Sequence, residues 1–184
     1  MGLAASLAMT ASGLAQGTVI STFNNFNLDG LFAWSDATIV SGPNSYSVTD
    51  IGYGSGYKAI NPVINASGAT SIELTCTLSG GPSGPIVSLV DGDGTFVNYA
   101  WYGTPVGSHV LTMDLSAGSG LGSGTVPGLD LSTLSFFHLQ DDPGGFGGTY
   151  TVAFENLSLI PEPTSIGLLI LGAGGLIVGR RQRR

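Results

Sequence analysis

The feature that most constrains the fold is a recurring two-residue alternation of apolar and polar side chains. In Ser71–Leu78 the apolar residues Ile72, Leu74, Cys76 and Leu78 alternate with polar ones. Successive side chains of a β-strand point to opposite faces of the sheet, so this spacing predicts a strand with one buried face. No stretch before the C-terminal segment keeps a 3.6-residue apolar stripe, which excludes a predominantly helical fold.

Similar runs recur along the chain between clusters of Gly, Pro, Asn and Ser, which are typical turn residues. The predicted strands are Val19–Phe23, Leu31–Val40, Tyr46–Ile51, Ala59–Ile64, Ser71–Leu78, Ile86–Val90, Phe96–Trp101, His109–Leu115, Leu134–Gln140 and Thr149–Ile160. About ten short strands within 184 residues predict an all-β fold, a single jelly-roll-like β-sandwich domain.

Charge is scarce and unevenly distributed. Charged residues make up 9% of the chain, against roughly 25% in an average globular protein. Residues 16–160 contain Lys58 and eleven acidic residues, a formal charge of about −10. A body with this negative charge is repelled by a phosphate backbone, so nucleic-acid binding is disfavoured.

Few residues suggest catalysis. Cys76 is the only cysteine and lies on the apolar side of its strand, which predicts a buried, inert thiol. His109 and His138 lack a paired metal-ligand motif, and no serine lies in a G-x-S-x-G elbow. The adjacent Asp141 and Asp142 precede Pro143-Gly144-Gly145, so a solvated turn is expected, with a two-carboxylate glycosidase site as the alternative.

Two local features refine the strand pattern. Asp91-Gly92-Asp93-Gly94 predicts a hairpin turn, because the EF-hand spacing fails at Thr95 and Tyr102. In the last strand the apolar parity changes between Phe154 and Leu157, which predicts a β-bulge at Glu155-Asn156. The glycine-rich segments 118–124 and 144–148 are expected to be flexible connectors.

Exposed aromatic rings bind sugars by stacking on their C–H-rich faces. Trp34, Tyr57, Trp101 and Tyr102 are the candidates for sugar stacking. Trp101 and Tyr102 are neighbours and must face opposite ways on a strand, so only one of them can belong to the core. Core or barrel-end packing is the alternative role for each of the four.

The N-terminal residues 1–15 are apolar and rich in small residues, and they end in Gly13-Leu14-Ala15. This predicts a signal peptide cleaved between Ala15 and Gln16. No Lys or Arg precedes the apolar run. Two explanations stay open, an atypical signal or a true start further upstream, and we favour the second.

The C-terminal residues form an ordered series of elements. Pro161-Glu162-Pro163 precedes an uncharged stretch, Thr164–Gly179, and a basic cluster follows at Arg180, Arg181, Arg183 and Arg184. As a helix the stretch would be about 24 Å long, short for a bilayer core of about 30 Å. Snorkelling arginines extend it, which predicts a short transmembrane helix with a cytoplasmic basic end.

These elements at this spacing resemble the PEP-CTERM sorting signal over residues 161–184. The resemblance implies export by a Gram-negative bacterium and transient anchoring in the inner membrane. It further implies recognition and removal of the tail by a membrane-embedded exosortase. The mature product would then reach the cell surface or an extracellular matrix, often one rich in exopolysaccharide. A permanent single-span anchor is the alternative.

Residues 16–160 are similar to galactose-binding-like jelly rolls, which include several carbohydrate-binding modules. The similarity is carried by SLVDGDGTFVNYAWY, GSHVLTMDL, LDLSTLSFFHLQDD and GTYTVAFENLSL. It implies polysaccharide binding without catalysis, and a structural Ca²⁺ ligand at Glu155, although Asp is usual at that place. A small secreted glycan-active enzyme is the functional alternative.

Overall fold

The computed structural model describes residues 18–22, 29–31, 35–41, 46–50, 54–120, 128–142 and 149–161. These residues form twelve strands in two antiparallel sheets. The strands are β1 Thr18–Thr22, β2 Gly30–Leu31, β3 Thr38–Ser41, β4 Tyr46–Asp50, β5 Gly54–Ile64, β6 Ala69–Ser79, β7 Gly84–Val90, β8 Phe96–Ala100, β9 Gly107–Asp114, β10 Ser119–Gly120, β11 Leu134–Asp142 and β12 Tyr150–Pro161. Single turns of 3₁₀ helix follow β9 and precede β11, at Leu115–Ala117 and Leu131–Thr133.

Sheet A has the strand order β3-β4-β12-β6-β9, and β1 pairs with the second half of β12. Sheet B has the order β10-β8-β7-β11-β5-β2. The two sheets pack face to face, and the predicted all-β sandwich is confirmed.

The core lies between the sheets and follows the predicted alternation. In β6 the side chains of Ile72, Leu74, Cys76 and Leu78 are buried, and the residues between them are half-buried. The remaining large, fully buried side chains come from β7, β8, β11 and β12, namely Leu89, Tyr99, Leu134, Phe137, Leu139, Phe154, Leu157 and Leu159. Cys76 is among the buried residues, as expected.

The predicted bulge in β12 is confirmed. Phe154 pairs with Cys76 and Asn156 pairs with Thr75, so Glu155 is the extra residue. This single insertion changes which parity faces the core, and it allows both Phe154 and Leu157 to be buried.

The predicted single strand Leu31–Val40 is wrong. β2 ends at Leu31, β3 begins at Thr38, and Ser35–Ala37 lie in neither. Ser35 Oγ accepts hydrogen bonds from the N–H of Ala37 at 3.2 Å and of Ser55 at 2.9 Å. A serine side chain that binds nearby backbone groups competes with the ladder, and here it replaces strand pairing.

Three further expectations need correction. β5 starts at Gly54, five residues before the predicted Ala59, because its buried glycines pair with β11. Asp141 and Asp142 end β11 and do not form a turn. The segment that begins at Gly118 is not wholly a connector, since Ser119–Gly120 form β10 against β8.

The described part of the chain contains no helix with the length and apolarity that a membrane crossing requires. The expected signal peptide with its Ala15-Gln16 cleavage site, Trp34, and the tail from Glu162 through Arg184 lie outside the described residues. Pro161 is described, half-buried at the end of β12 and paired with Ala69.

Candidate functional site

A row of hydrogen-bonding side chains crosses the outer face of sheet B, the face turned away from the core. In antiparallel pairs, residues directly opposite each other place their side chains on the same face. The register joins one residue from each of five adjacent strands in this way. We call this set the polar row: Tyr57 of β5, His138 of β11, Ser88 of β7, Asn98 of β8 and Ser119 of β10.

The strand patterns explain why these residues face outward. In β11 the core takes Phe137, Leu139 and Asp141, which leaves His138 and Gln140 on the opposite face. In β8 the core takes Tyr99, so the neighbouring Asn98 faces outward. With a spacing of about 4.8 Å between neighbouring strands, the polar row spans about 19 Å.

The floor of the face is tied together by side-chain hydrogen bonds. Gln140 Nε2 donates to Ser88 Oγ at 3.2 Å, and Ser88 Oγ donates to Asn98 Oδ1. Ser88 is fully buried beneath the half-buried Asn98 and Gln140. These bonds fix the orientation of the amide groups, so donors and acceptors are presented in a set arrangement.

Apolar and aromatic side chains border the polar row. On one side, Phe136 of β11 lies opposite Val90 of β7, and Val90 lies opposite Phe96 of β8. Phe136 is 39% exposed, which is unusual for a phenylalanine in a sheet. The face therefore combines aromatic surface with hydrogen-bonding groups, which is the combination that sugar binding requires.

The structure brings two of the four sugar-stacking candidates to this face. Tyr57 lies in the polar row, and Tyr102 is 68% exposed beside the first residue of β7. A methyl group added at Gly84 would fall 2.8 Å from Tyr102 Cδ1, so the ring lies against the outer side of Gly84. Trp101 instead packs against the core, and Trp34 is not described.

Burial lowers the pKa of His138 below its ordinary value of 6.5, because loss of hydration disfavours the charged imidazolium. The imidazole is therefore neutral at pH 7, able both to donate and to accept a hydrogen bond. His109, on the other sheet, contacts the Pro105 carbonyl at 2.8 Å through Nε2.

A second group of acidic residues surrounds the hairpin turn between β7 and β8. The buried Asp91 carboxylate accepts hydrogen bonds from the backbone N–H groups of Asp93, Thr95 and Asp130, at 2.9–3.1 Å. The predicted hairpin is confirmed. These bonds give Asp91 a structural role, since its carboxylate ties the turn to the segment before β11.

No group of three or more His, Cys, Asp or Glu side chains that could hold a metal ion occurs among the described residues. Glu155 Oε1 accepts a hydrogen bond from Thr77 Oγ1 at 2.7 Å. Calcium binding at Glu155 stays a prediction, and no metal-binding group within the described ranges supports it.

The two adjacent aspartates do not share a site. Asp141 points into the core and is fully buried, with both carboxylate oxygens lacking a hydrogen-bond partner. Asp142 lies opposite Gly84 on the outer face of β11. A glycosidase pair needs both carboxylates on either side of one bond, at about 5–10 Å from each other across the substrate, and side chains on opposite faces of one strand cannot provide this.

Most of the polar row was missed from the sequence. Ser88 lies within Pro85-Ile86-Val87-Ser88-Leu89-Val90, an almost continuous apolar run that predicts burial on both faces, and every residue of β7 is indeed buried. Asn98 and His138 each lie between two apolar neighbours, and this alternation in the sequence already indicates that they face away from the core. Alternation identifies their face, but only the sheet order brings them into one row.

Comparison with solved structures defines the class of fold, a β-sandwich like that of carbohydrate-binding modules. A family 11 carbohydrate-binding module of the Clostridium thermocellum cellulase Lic26A-Cel5E aligns with a TM-score of 0.57 at 16% identity, over 81% of this chain and 96% of that one. The Clostridium thermocellum family 11 module in complex with a β-1,3-1,4-mixed-linked tetrasaccharide aligns with a TM-score of 0.56 at 17% identity, over 78% and 95%.

The agarase AgWH50C aligns with a TM-score of 0.57 at 12% identity, over 79% of this chain and 25% of the agarase. The chain thus spans about a quarter of that enzyme's length. No protein-family model matches the chain, and neither does any curated protein. At these identities the likeness establishes the fold alone.

Proposed function

We propose that this protein is a non-catalytic carbohydrate-binding protein, and that the outer face of sheet B binds a polysaccharide. The observation that carries the proposal is the polar row with its aromatic border, five hydrogen-bonding residues on adjacent strands beside Phe136 and Phe96. The carbohydrate-binding-module-like fold supports it, as does the tetrasaccharide complex of one structural neighbour.

Each part of the face has a stated task. The rings of Tyr57 and Tyr102 stack on sugar faces, and Phe136 provides further apolar contact. His138, Asn98 and Gln140 exchange hydrogen bonds with sugar hydroxyls. Because Gln140 and Asn98 are already oriented through Ser88, little side-chain entropy is lost on binding.

Affinity electrophoresis of the full chain in gels that contain soluble polysaccharides tests this proposal. Tyr102→Ala and Asn98→Ala should each weaken binding about tenfold, by analogy with loss of a stacking ring or of an oriented hydrogen bond. Val110→Ala, at an exposed position of β9 on the other sheet, should bind as the parent does. Equal retardation of all three variants would exclude this face as the binding site.

We further propose that the protein is exported and sorted to the cell surface or extracellular matrix through residues 161–184, after transient anchoring in the inner membrane. The support is the order of Pro161-Glu162-Pro163, the apolar stretch and the arginine cluster. An exosortase-type enzyme would be the processing partner and exopolysaccharide the ligand. The intact mass of the protein recovered from the cell surface tests this: retention of Arg180–Arg184 contradicts processing and favours a permanent anchor.

The alternative of a glycan-active enzyme is favoured by the partial likeness to agarases. The separation of Asp141 from Asp142 across β11 argues against it. Reducing-sugar release from agarose and mixed-linkage β-glucan by the full chain is the deciding measurement. Turnover that is lost in Asp142→Asn, while binding is retained, would establish the enzyme.

A further inference from the structure

The charges around the polar row limit which polysaccharides it can bind, and this inference rests on the proposed binding function of sheet B. Lys58 is the only lysine or arginine before Arg180. It lies opposite Phe137 in the register, on the other face of β5 from Tyr57. Its ammonium group donates to Asp29 Oδ1 at 2.8 Å. No basic side chain of residues 18–161 is therefore placed to meet a ligand on the outer face.

The groups that the row does present are uncharged at neutral pH. Hydroxyls come from Tyr57 and Ser119, and an amide comes from Asn98, which the buried Ser88 hydroxyl holds in place. The remaining member, His138, has its pKa lowered by burial and carries no charge at pH 7. Hydroxyls, amides and neutral imidazole both donate and accept hydrogen bonds, which matches the hydroxyl groups of a sugar.

The charged groups near the face are negative. Asp142 lies on the outer face of β11, two residues beyond Gln140. At the other end of β7 the turn carries Asp93, and Asp130 lies beside that turn. A carboxylate or sulfate on a ligand would lose hydration at this face and find no cation there, and Asp142 on the same face would repel it.

We propose that the polar row binds uncharged polysaccharide chains and excludes polyuronates and sulfated glycans. The polysaccharide lies across the strands, along the polar row, where its hydroxyl groups meet the amide, imidazole and hydroxyl groups of the protein. Recognition depends on hydrogen bonds and ring contacts at short range, and hence is insensitive to ionic strength. Selection between neutral and acidic glycans results from the absence of a cation rather than from a clash.

The test compares the full chain on mixed-linkage β-glucan, an uncharged polymer, and on alginate, a polyuronate. Binding to β-glucan should be at least about tenfold stronger, because an unpaired charge at an interface carries a cost of that order or more. It should also stay constant between about 0.05 and 0.5 M NaCl, since screening weakens only charge-driven association over this range.

A charge inserted into the row supplies a second readout. Asn98→Lys should weaken β-glucan binding and introduce salt-sensitive alginate binding, whereas Val110→Lys, on the outer face of sheet A, should do neither. Alginate binding by the unaltered chain would overturn the inference and leave the proposed function standing. Failure to bind any polysaccharide would overturn both.

Discussion

At the scale of single residues, Asp141 is the most unusual side chain. It is fully buried on the core face of β11, and neither carboxylate oxygen has a hydrogen-bond partner. Burial, as the largest cause, raises the pKa of Asp141 to about 6 from an ordinary value of 3.8; the neighbouring Ser83 hydroxyl opposes this shift, and the Asp142 charge adds to it. At pH 5, for example, Asp141 of the folded protein still holds a proton that the unfolded chain has mostly released.

This arrangement predicts a pH-dependent penalty on stability. Between pH 3.8 and about 6 the folded state binds more protons than the unfolded state, so the contribution of Asp141 to stability falls as pH rises through this window. Asp141→Asn should remove the effect. At pH 8 this variant should be more stable than the parent by about 3 kcal/mol, and at pH 4 nearly equal to it.

Melting temperatures of the two proteins, compared at each pH, measure the difference. The comparison cancels the contributions of Asp29, Asp114 and Asp130, whose pKa values are lowered by hydrogen bonds and which act with the opposite sign. Asp36→Asn, at an exposed site outside the strands, serves as the control and should keep the parent's pH dependence. If the difference in melting temperature between Asp141→Asn and the parent does not increase from pH 4 to pH 6, the buried Asp141 carboxylate does not cause the penalty.

Sequence reasoning reached some residues and not others for identifiable reasons. Cys76 was assigned to the core from its alternating neighbours, and burial raises the pKa of its thiol to about 12, which makes it unreactive. Asp141 was expected to be solvated because aspartate before Pro-Gly-Gly is typical of a turn. Only the pairing of β11 with Gly54 and Pro85 extends the strand far enough to bury it.

At the scale of elements, the hairpin between β7 and β8 is held by a side chain rather than by turn geometry alone. The Asp91 carboxylate accepts three backbone hydrogen bonds, one of them from Asp130, 39 residues away. Asp91 therefore stabilises its own turn and also links that turn to the segment before β11.

Asp91→Ala should remove the carboxylate that three backbone N–H groups share, of which the Thr95 N–H also donates to Asp93 Oδ1 at 3.0 Å. We expect a loss of unfolding free energy of about 1–3 kcal/mol, because the affected groups are wholly or partly buried. Urea denaturation followed by tryptophan fluorescence measures it. Asp36→Ala, at an exposed site, should change stability little, and an equal loss in both variants would indicate a general charge effect.

The approach of β10 to β8 depends on the absence of a side chain at Gly118. A methyl group added there would fall 2.4 Å from Val97 Cγ1 and 2.7 Å from Tyr99 Cε1. Its backbone is extended, with φ −63° and ψ 145°, so strain is not the reason for glycine. Close packing alone requires it.

Gly118→Ala should therefore destabilise the protein by about 1–3 kcal/mol, the usual cost of overpacking. Gly68→Ala is the matched control, because a methyl group at Gly68 meets nothing within 4 Å. That substitution should be neutral or slightly stabilising. Thermal denaturation distinguishes the two, and equal stability of both variants would show that β10 can move away without cost.

The elements show what pattern can and cannot predict. The parity change in β12 identified the bulge at Glu155, because an extra residue is the only local way to bury both Phe154 and Leu157. β2 and β10 have two residues each and carry no alternation to detect. Each forms because it pairs with the free edge of another strand, β5 for β2 and β8 for β10, and the sequence does not show which strands have free edges.

At the scale of the whole molecule, sheet A depends on β12. This strand pairs with β6 along one side, and with β4 and then β1 along the other. Sheet B, with the polar row, is the opposite layer of the sandwich. The fold class followed from alternation, whereas the assignment of strands to layers required the long-range pairings.

Truncation tests this dependence. A chain that ends at Pro161 should melt as the full chain does, because every described pairing of β12 is retained. A chain that ends at Phe154 loses the pairs with β1 and seven residues of the strand, including the buried Leu157 and Leu159, and should not fold. Far-ultraviolet circular dichroism separates the outcomes, and a folded Phe154-terminated chain would refute the central role of β12.

The position of β12 also determines how the molecule would respond to a pulling force. Anything attached beyond Pro161 pulls along a strand that is bonded to neighbours on both flanks, so the load acts on many hydrogen bonds at once and in shear. A polymer held on sheet B would pull from the opposite layer, and the tension would pass through the packed core between them. An edge strand such as β9, which pairs only with β6 among the described strands, would instead peel away bond by bond.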